Sequence, residues 1–296
     1  PPLSVASTKS RVKTSAVRPL AMAKPIFWGR LFGYSILALG AAAMIMPFVW
    51  TVAASFKTYS DLFYNPYRLI PTEWTWSNYV EVFRQVPFHL YIFNTVKITL
   101  LSTVGVLITS SLAAYAFARL QFPGRDIVFM AYLATMMIPR QITLVPTFVL
   151  MKWLNLLDTH ASLILPGMFS AYGTFLLRQF FLTVPRELEE AATIDGCGYI
   201  RRFTTIILPL SKPALATLGI FIMMQVWNDF LYPMVFIQTD ELRTIALGLS
   251  IFRGDLDIQW NLIMAATTIS IIPMTIAFLS AQRFFVEGIA LTGIKG

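Results

Sequence analysis

Apolar residues in this chain gather into six long runs separated by shorter polar intervals. The runs cover about Leu31–Phe56, Tyr91–Ala118, Ile127–Leu150, Ala161–Leu182, Ala214–Ile237 and Leu262–Phe285. Each reaches the ~20 residues that a helix needs to cross ~30 Å of hydrocarbon. Several are interrupted: Pro139 and Pro146 lie in the third, Pro166 and Gly167 in the fourth, Pro233 near the end of the fifth and Pro273 in the sixth. A membrane helix tolerates such breaks when neighbouring helices or water satisfy the freed carbonyls. The pattern predicts an all-α, polytopic membrane protein with six transmembrane helices.

The polar interval Val184–Pro213 differs from the others. It carries Arg186, Glu187, Glu189, Glu190, Asp195, Arg201, Arg202 and Lys212, with Arg178 just upstream. Pro185 suits the first position of a helix, where its missing N–H has no partner to lose. Three glutamates in the first turns suit the positive end of the helix dipole. Leu188, Ala191 and Ala192 form an apolar stripe at i, i+3, i+4. Gly196 and Gly198 end that helix. A second short helix follows, with Ile200, Phe203 and Ile207 on one side, and Pro209 and Pro213 close it.

Composition agrees with the membrane reading. The chain is 56% hydrophobic and 13% charged, against roughly 25% charged in soluble domains. The net charge of +8 does not point to nucleic acid, because the basic residues sit between apolar runs and not in one patch. They set topology instead. With the N-terminus inside, the inner segments hold fifteen Lys and Arg and the outer segments six. This bias predicts both termini, and the Val184–Pro213 loop, on the cytoplasmic side. Residues 1–29 are basic and polar, bury little apolar area, and read as a disordered tail. Residues 1–21 read as a dispensable extension before Met22. Cys197 has no partner for a disulfide.

Charge inside the runs marks candidate chemistry, because it is costly there. Lys97 lies near the outer end of the second run, where a long side chain snorkels to the interface. Arg140 follows Pro139 near the middle of the third and should face a polar interior. Asp229 lies in Trp227-Asn228-Asp229-Phe230 in the fifth. Two readings stand for that cluster: an interhelical hydrogen-bond group, or a sugar site in which Trp227 stacks while Asn228 and Asp229 bind hydroxyls. The outer segment Lys57–His89 carries six Tyr and Trp residues and reads either as an interfacial anchor or as a dock for a soluble partner. The outer loop Gln238–Trp260 is acidic, and reads as a second docking surface or a solvated loop. No G-x-x-x-x-G-K-[ST] loop is present, so the chain has no evident means of hydrolysing ATP alone. Neither H-E-x-x-H nor G-x-S-x-G occurs, and His89 and His160 lack ligand spacing, so no metal or catalytic site is expected.

Glu190-Ala191-Ala192, three residues, Gly196, nine residues, Ile206, one residue and Leu208-Pro209 together resemble the EAA loop of ATP-binding-cassette (ABC) importer permeases. The resemblance extends over residues 25–296, to carbohydrate-uptake permeases of the maltose-importer, MalG-like type. Tyr172–Gln179, Trp227–Phe230, Gln282–Gly288 and the terminal Gly293–Gly296 carry it. It implies the type I ABC importer permease fold in the bacterial cytoplasmic (inner) membrane. The tail at 1–29 and first helix at 30–57 would precede an external loop at 58–88. A five-helix core would follow at 89–285, then a cytoplasmic tail at 286–296. It also implies partners: a second, MalF-like permease, two MalK-like ATP-binding subunits holding ATP and Mg, and an external solute-binding protein. The EAA-loop residues Glu190, Ala191, Ala192, Asp195, Gly196, Ile206, Leu208 and Pro209 would dock the ATPase. Arg140, Trp227, Asn228 and Asp229 are candidates for the solute path. An ion-coupled secondary transporter is the alternative, since it too has broken helices and buried charge; so is an importer of a non-sugar solute such as glycerol phosphate.

Overall fold

A computed structural model describes residues 27–254 and 258–293. The basic tail before residue 27, the acidic residues 255–257 and the last three residues lie outside it. Contacts divide the chain into residues 1–48 and 49–296. In the first unit, residues 27–48 belong to α1 (Phe27–Ser55), and Phe32, Leu37, Leu39 and Met44 are exposed.

The second unit is helical throughout its regular structure. α2 (Tyr59–Tyr64) and α3 (Ser77–Gln85) are short. α4 (Phe88–Arg119) is the long central helix; its 32 residues reach ~48 Å at 1.5 Å per residue. α5 (Arg125–Ala134) and α6 (Arg140–Trp153) follow, then α7 (Ala161–Ile164), α8 (Ala171–Thr183) and α9 (Arg186–Ile194). α10 (Tyr199–Arg202) runs through a π turn at Phe203–Ile207 into α11 (Leu208–Leu210). α12 (Lys212–Trp227), α13 (Leu231–Phe236), α14 (Ile245–Leu249) and α15 (Trp260–Gly293) complete the described chain. α4 packs on α8 and α12, α12 on α15, and α15 on α3.

Three apolar clusters hold this arrangement. Val106, Tyr115, Leu177, Phe181, Phe203, Ile207 and Leu218 join the Arg119 end of α4 to α8, the π turn and α12. Val82, Phe88, Tyr91, Trp227, Phe252 and Leu262 join the other end of α4 to α3 and α15. Met151, Tyr232 and Phe236 join α6 to α13.

The six apolar runs do not become six straight helices. Among the described residues, three helices are long and apolar enough to cross a membrane: Gly29–Ser55, Phe88–Arg119 and Trp260–Ser280. The third run is a pair bent by 100° between Met137 and Arg140; the fifth joins α12, bent by 78° from the Tyr199–Leu210 helix before it. Counting each bent pair as one span gives up to five. The fourth run is divided more finely, into α7, a 3₁₀ turn at Pro166–Met168 and α8. α8 alone, with 13 residues, covers ~20 Å of the ~30 Å hydrocarbon layer.

Candidate functional site

The breaks in three of the runs meet around one cavity. Between α5 and α6 the chain turns at Ile138-Pro139; between α7 and α8 it turns through Pro166–Ser170; between α12 and α13 it turns at Asn228–Phe230. A cavity of about 420 Å³ is lined from all three breaks and from Ser102 on α4. That volume lies in the range of small-molecule sites, ~300–1,000 Å³. Irregular backbone at membrane depth is tolerated where it lines a polar cavity. Thr135, Thr143, Thr147, Ser170 and Gln225 supply hydroxyls, a carbonyl and an amide; Phe169 and Tyr172 supply rings.

Arg140 and Asp229 face each other across this cavity. Arg140 Nη2 lies 3.3 Å from Asp229 Oδ2. Arg140 opens α6 immediately after Pro139, and its guanidinium carbon lies 4.8 Å from the centre of the Tyr232 ring. Asp229 accepts a hydrogen bond of 3.3 Å through Oδ1 from the Tyr232 N–H in the first turn of α13. The Tyr232 hydroxyl donates to the Arg140 carbonyl at 3.4 Å. The Arg140 side chain is 51% exposed and Asp229 20%.

The rest of the Trp227–Phe230 cluster points elsewhere. The Trp227 ring is buried with Tyr91, Phe252 and Leu262 and does not line the cavity. Asn228 is exposed and donates to the Met224 carbonyl at 2.8 Å, closing α12. The stretch therefore divides its work: Trp227 packs, Asn228 caps and Asp229 reaches the cavity. Lys97 lies 3.3 Å from His160 Nδ1, and the other His160 nitrogen lies 3.1 Å from the Leu242 carbonyl.

In the polar loop, Glu190, Ala191, Asp195 and Gly196 are exposed on α9 and the turn after it, and Ala192 is half-buried. Gly196 adopts φ +79°. Its N–H donates to the Thr193 carbonyl at 3.0 Å, and the Cys197 N–H donates to the Ala192 carbonyl at 2.9 Å. These two bonds form a Schellman cap, which needs a left-handed residue where Gly196 stands. Ile206 and Leu208 are half-buried and Pro209 exposed where the chain re-enters the apolar layer. Leu188, Ile194, Tyr199 and Ile200 are exposed around the turn, so the tip offers an apolar surface ringed by charge. Phe203 and Ile207 face inward and seat the loop on α4 and α8.

Comparison with known proteins bears on both regions. The family model described as "Binding-protein-dependent transport system inner membrane component" matches residues 105–290. The chain belongs to this family. It is 36% identical over 289 residues to the "Probable ABC transporter permease protein YurM" of Bacillus subtilis (strain 168), covering 96% of this chain and 93% of that one. It is 36% identical over 268 residues to the "sn-glycerol-3-phosphate transport system permease protein UgpE" of Pectobacterium atrosepticum, covering 88% and 95%. Its fold matches a solved chain from a bacterial ABC transporter that imports the acidic polysaccharide alginate. The TM-score is 0.78, the identity 24%, and the match covers 89% of this chain and 99% of that one. Membership in a binding-protein-dependent system replaces the ion-coupled alternative. The polar loop, and the cavity apart from Ile98 and Ser102, fall within the residues that the family model matches.

Proposed function

We propose that this permease is the membrane subunit of an ATP-driven importer for a hydroxyl-rich solute, a sugar or polyol, moved by alternating access through the Arg140–Asp229 cavity. The observation that carries the reading is the cavity itself. Two charged residues 89 positions apart meet where three helices break, among hydroxyls and rings suited to a polyol. Arg140 also fits an acidic group on the solute, and the relative UgpE is named for sn-glycerol 3-phosphate. The chain works with a second permease, two ATP-binding subunits holding ATP and Mg, and an external binding protein. Its own residues order the solute; hydrolysis belongs to the partners. The loop around Glu190 and Gly196 docks an ATPase from the cytoplasmic side.

The test is uptake by the complete complex in proteoliposomes, with sn-glycerol 3-phosphate, maltose and glycerol as probes. Loss of one charge-assisted hydrogen bond at ~1.5–3 kcal/mol should lower uptake of the accepted solute about tenfold to a hundredfold. Arg140→Met is expected to do so, and Asp229→Asn to a smaller extent. Uptake unchanged by both substitutions would remove the cavity from the path.

A further inference from the structure

Arg119 is the last residue of α4, and its side chain is 4% exposed. Its Nε lies 3.4 Å from Glu189 Oε2 on α9, whose side chain is 10% exposed. Through Nη2 the same guanidinium donates to the carbonyls of Phe181 and Val184, at the end of α8. The last carbonyls of a helix have no partner within it and form its negative end, so a cation is favoured there. α8 returns the contact: Arg178 Nε donates to the Phe117 carbonyl at 3.2 Å, in the last turn of α4. α4 and α8 thus exchange arginines, and Arg119 also holds the loop.

The loop is fastened at further points. Tyr115, one turn before Arg119, faces the Glu189 carboxylate and lies 5.1 Å from the Phe203 ring. Thr193 donates to the Glu189 carbonyl at 2.6 Å and accepts from Arg202 Nη1 at 2.6 Å, which ties α9 to α10. Glu190, the next residue, is exposed. Adjacent glutamates therefore face opposite ways, one to the solvent side and one to the spans.

We infer that Glu189 is a positioning residue for coupling. Its buried pair with Arg119 locks α9 to the ends of α4 and α8, so a push on the loop moves both spans as one body. The deformation is then taken up at the broken helices around the cavity, where few regular hydrogen bonds oppose it. The inference rests on the loop being the ATPase dock. A buried pair suits this role, because removing one partner leaves an uncompensated charge and makes partial separation costly.

The assembled importer in proteoliposomes tests it. Glu189→Gln keeps the shape and removes the charge. It should leave basal ATP hydrolysis in place and lower solute taken up per ATP by about tenfold. Spin labels at Gln121→Cys and Glu187→Cys, with Cys197→Ser, report the same point directly. In the otherwise native chain their separation should stay fixed between nucleotide-free and ATP-bound states; with Glu189→Gln it should spread or shift. A separation that changes with ATP in the native pair overturns the rigid-body inference, even if Glu189→Gln fails to assemble. Normal uptake per ATP in Glu189→Gln beside an inactive Glu190→Ala overturns it while leaving the docking role intact. Normal activity in both variants overturns the docking role as well.

Discussion

Gly196→Val is expected to abolish uptake while the chain still inserts and accumulates normally. The reason is local. Gly196 holds φ +79°, and a Cβ built there meets nothing within 4 Å. Space is therefore not the obstacle; the backbone is. A left-handed conformation costs an L-residue roughly 1–2 kcal/mol, and a β-branched one more. Valine should escape that cost by breaking the two cap bonds to Thr193 and Ala192, which turns α10 and the exposed Tyr199 and Ile200 away from α9. Asparagine tolerates this conformation better, so Gly196→Asn should retain more uptake than Gly196→Ala, and alanine more than valine. Equal loss in all three would show that the left-handed turn is not what matters. Glu190→Ala should match the valine variant by another route. On the docking proposed above, Glu190→Ala leaves a cation of the ATPase unpaired at a partly desolvated interface, at a cost of about 2–5 kcal/mol. Uptake and binding-protein-stimulated ATP hydrolysis should fall together. Normal values for both in Gly196→Val and Glu190→Ala would end the coupling role of this loop.

The order of these elements was largely legible in the sequence. Pro185, the Leu188, Ala191 and Ala192 stripe, Gly196 and Gly198, and the spacing of Ile200, Phe203 and Ile207 predict helix, turn and helix, and the structure has them. Pro209 lies inside the last short helix and Pro213 opens α12, so neither closes the second helix. Arg140 and Asp229 stand out in the sequence because charge in an apolar run is costly. That the two meet was not legible, because nothing local relates positions 89 apart. Trp227 shows a second limit. One reading gave Trp227, Asn228 and Asp229 a single sugar site, but α12 ends between Trp227 and Asp229, and a helix end sends adjacent side chains in unrelated directions. The fourth run shows a third. Hydropathy sums composition over a window and is blind to continuity, so Pro166-Gly167 left its average high while Pro166–Ser170 broke the helix. The π turn at Phe203–Ile207 had no sequence mark, because it arises from seating Phe203 and Ile207 in the cluster with Tyr115 and Leu177.

Lys57→Met is expected to release the segment after α1. In the sequence Lys57 counts as a surface charge that helps to set topology. In the structure it is fully buried, 0% exposed. Its Nζ donates to the Asn65 carbonyl at 3.0 Å and to the Arg68 carbonyl. Asp61 stands nearby; its carboxylate is held below the usual range chiefly by the Thr72 N–H, with Lys57 adding to the effect. Around the backbone of Lys57, Asn78 Nδ2 donates to the carbonyls of Ser55 and Lys57 at 2.9 and 2.8 Å, and Asn261 donates to Asn78 Oδ1 at 2.8 Å. The ammonium therefore holds the turns at 65–68 against the end of α1, while the Asn78 amide joins the backbone there to α3 and α15. Methionine fills a similar volume and makes neither of the two ammonium bonds, while the Asn78 bonds to the backbone remain. Two hydrogen bonds from a charged donor contribute roughly 3–6 kcal/mol together; without them the Asn65 carbonyl keeps only the 3.3 Å bond from the Arg68 N–H. The expected result is protease cleavage within residues 58–76 and a lowered unfolding midpoint in detergent, with the Gly196 turn unaffected. Lys57→Arg should fail almost as badly, because a planar fork does not reach both carbonyls from the same pocket. A Lys57→Met chain as protease-resistant as the native one would show that the aromatic contacts of Phe56 with Trp74, Trp76 and Tyr79 hold this segment without the ammonium.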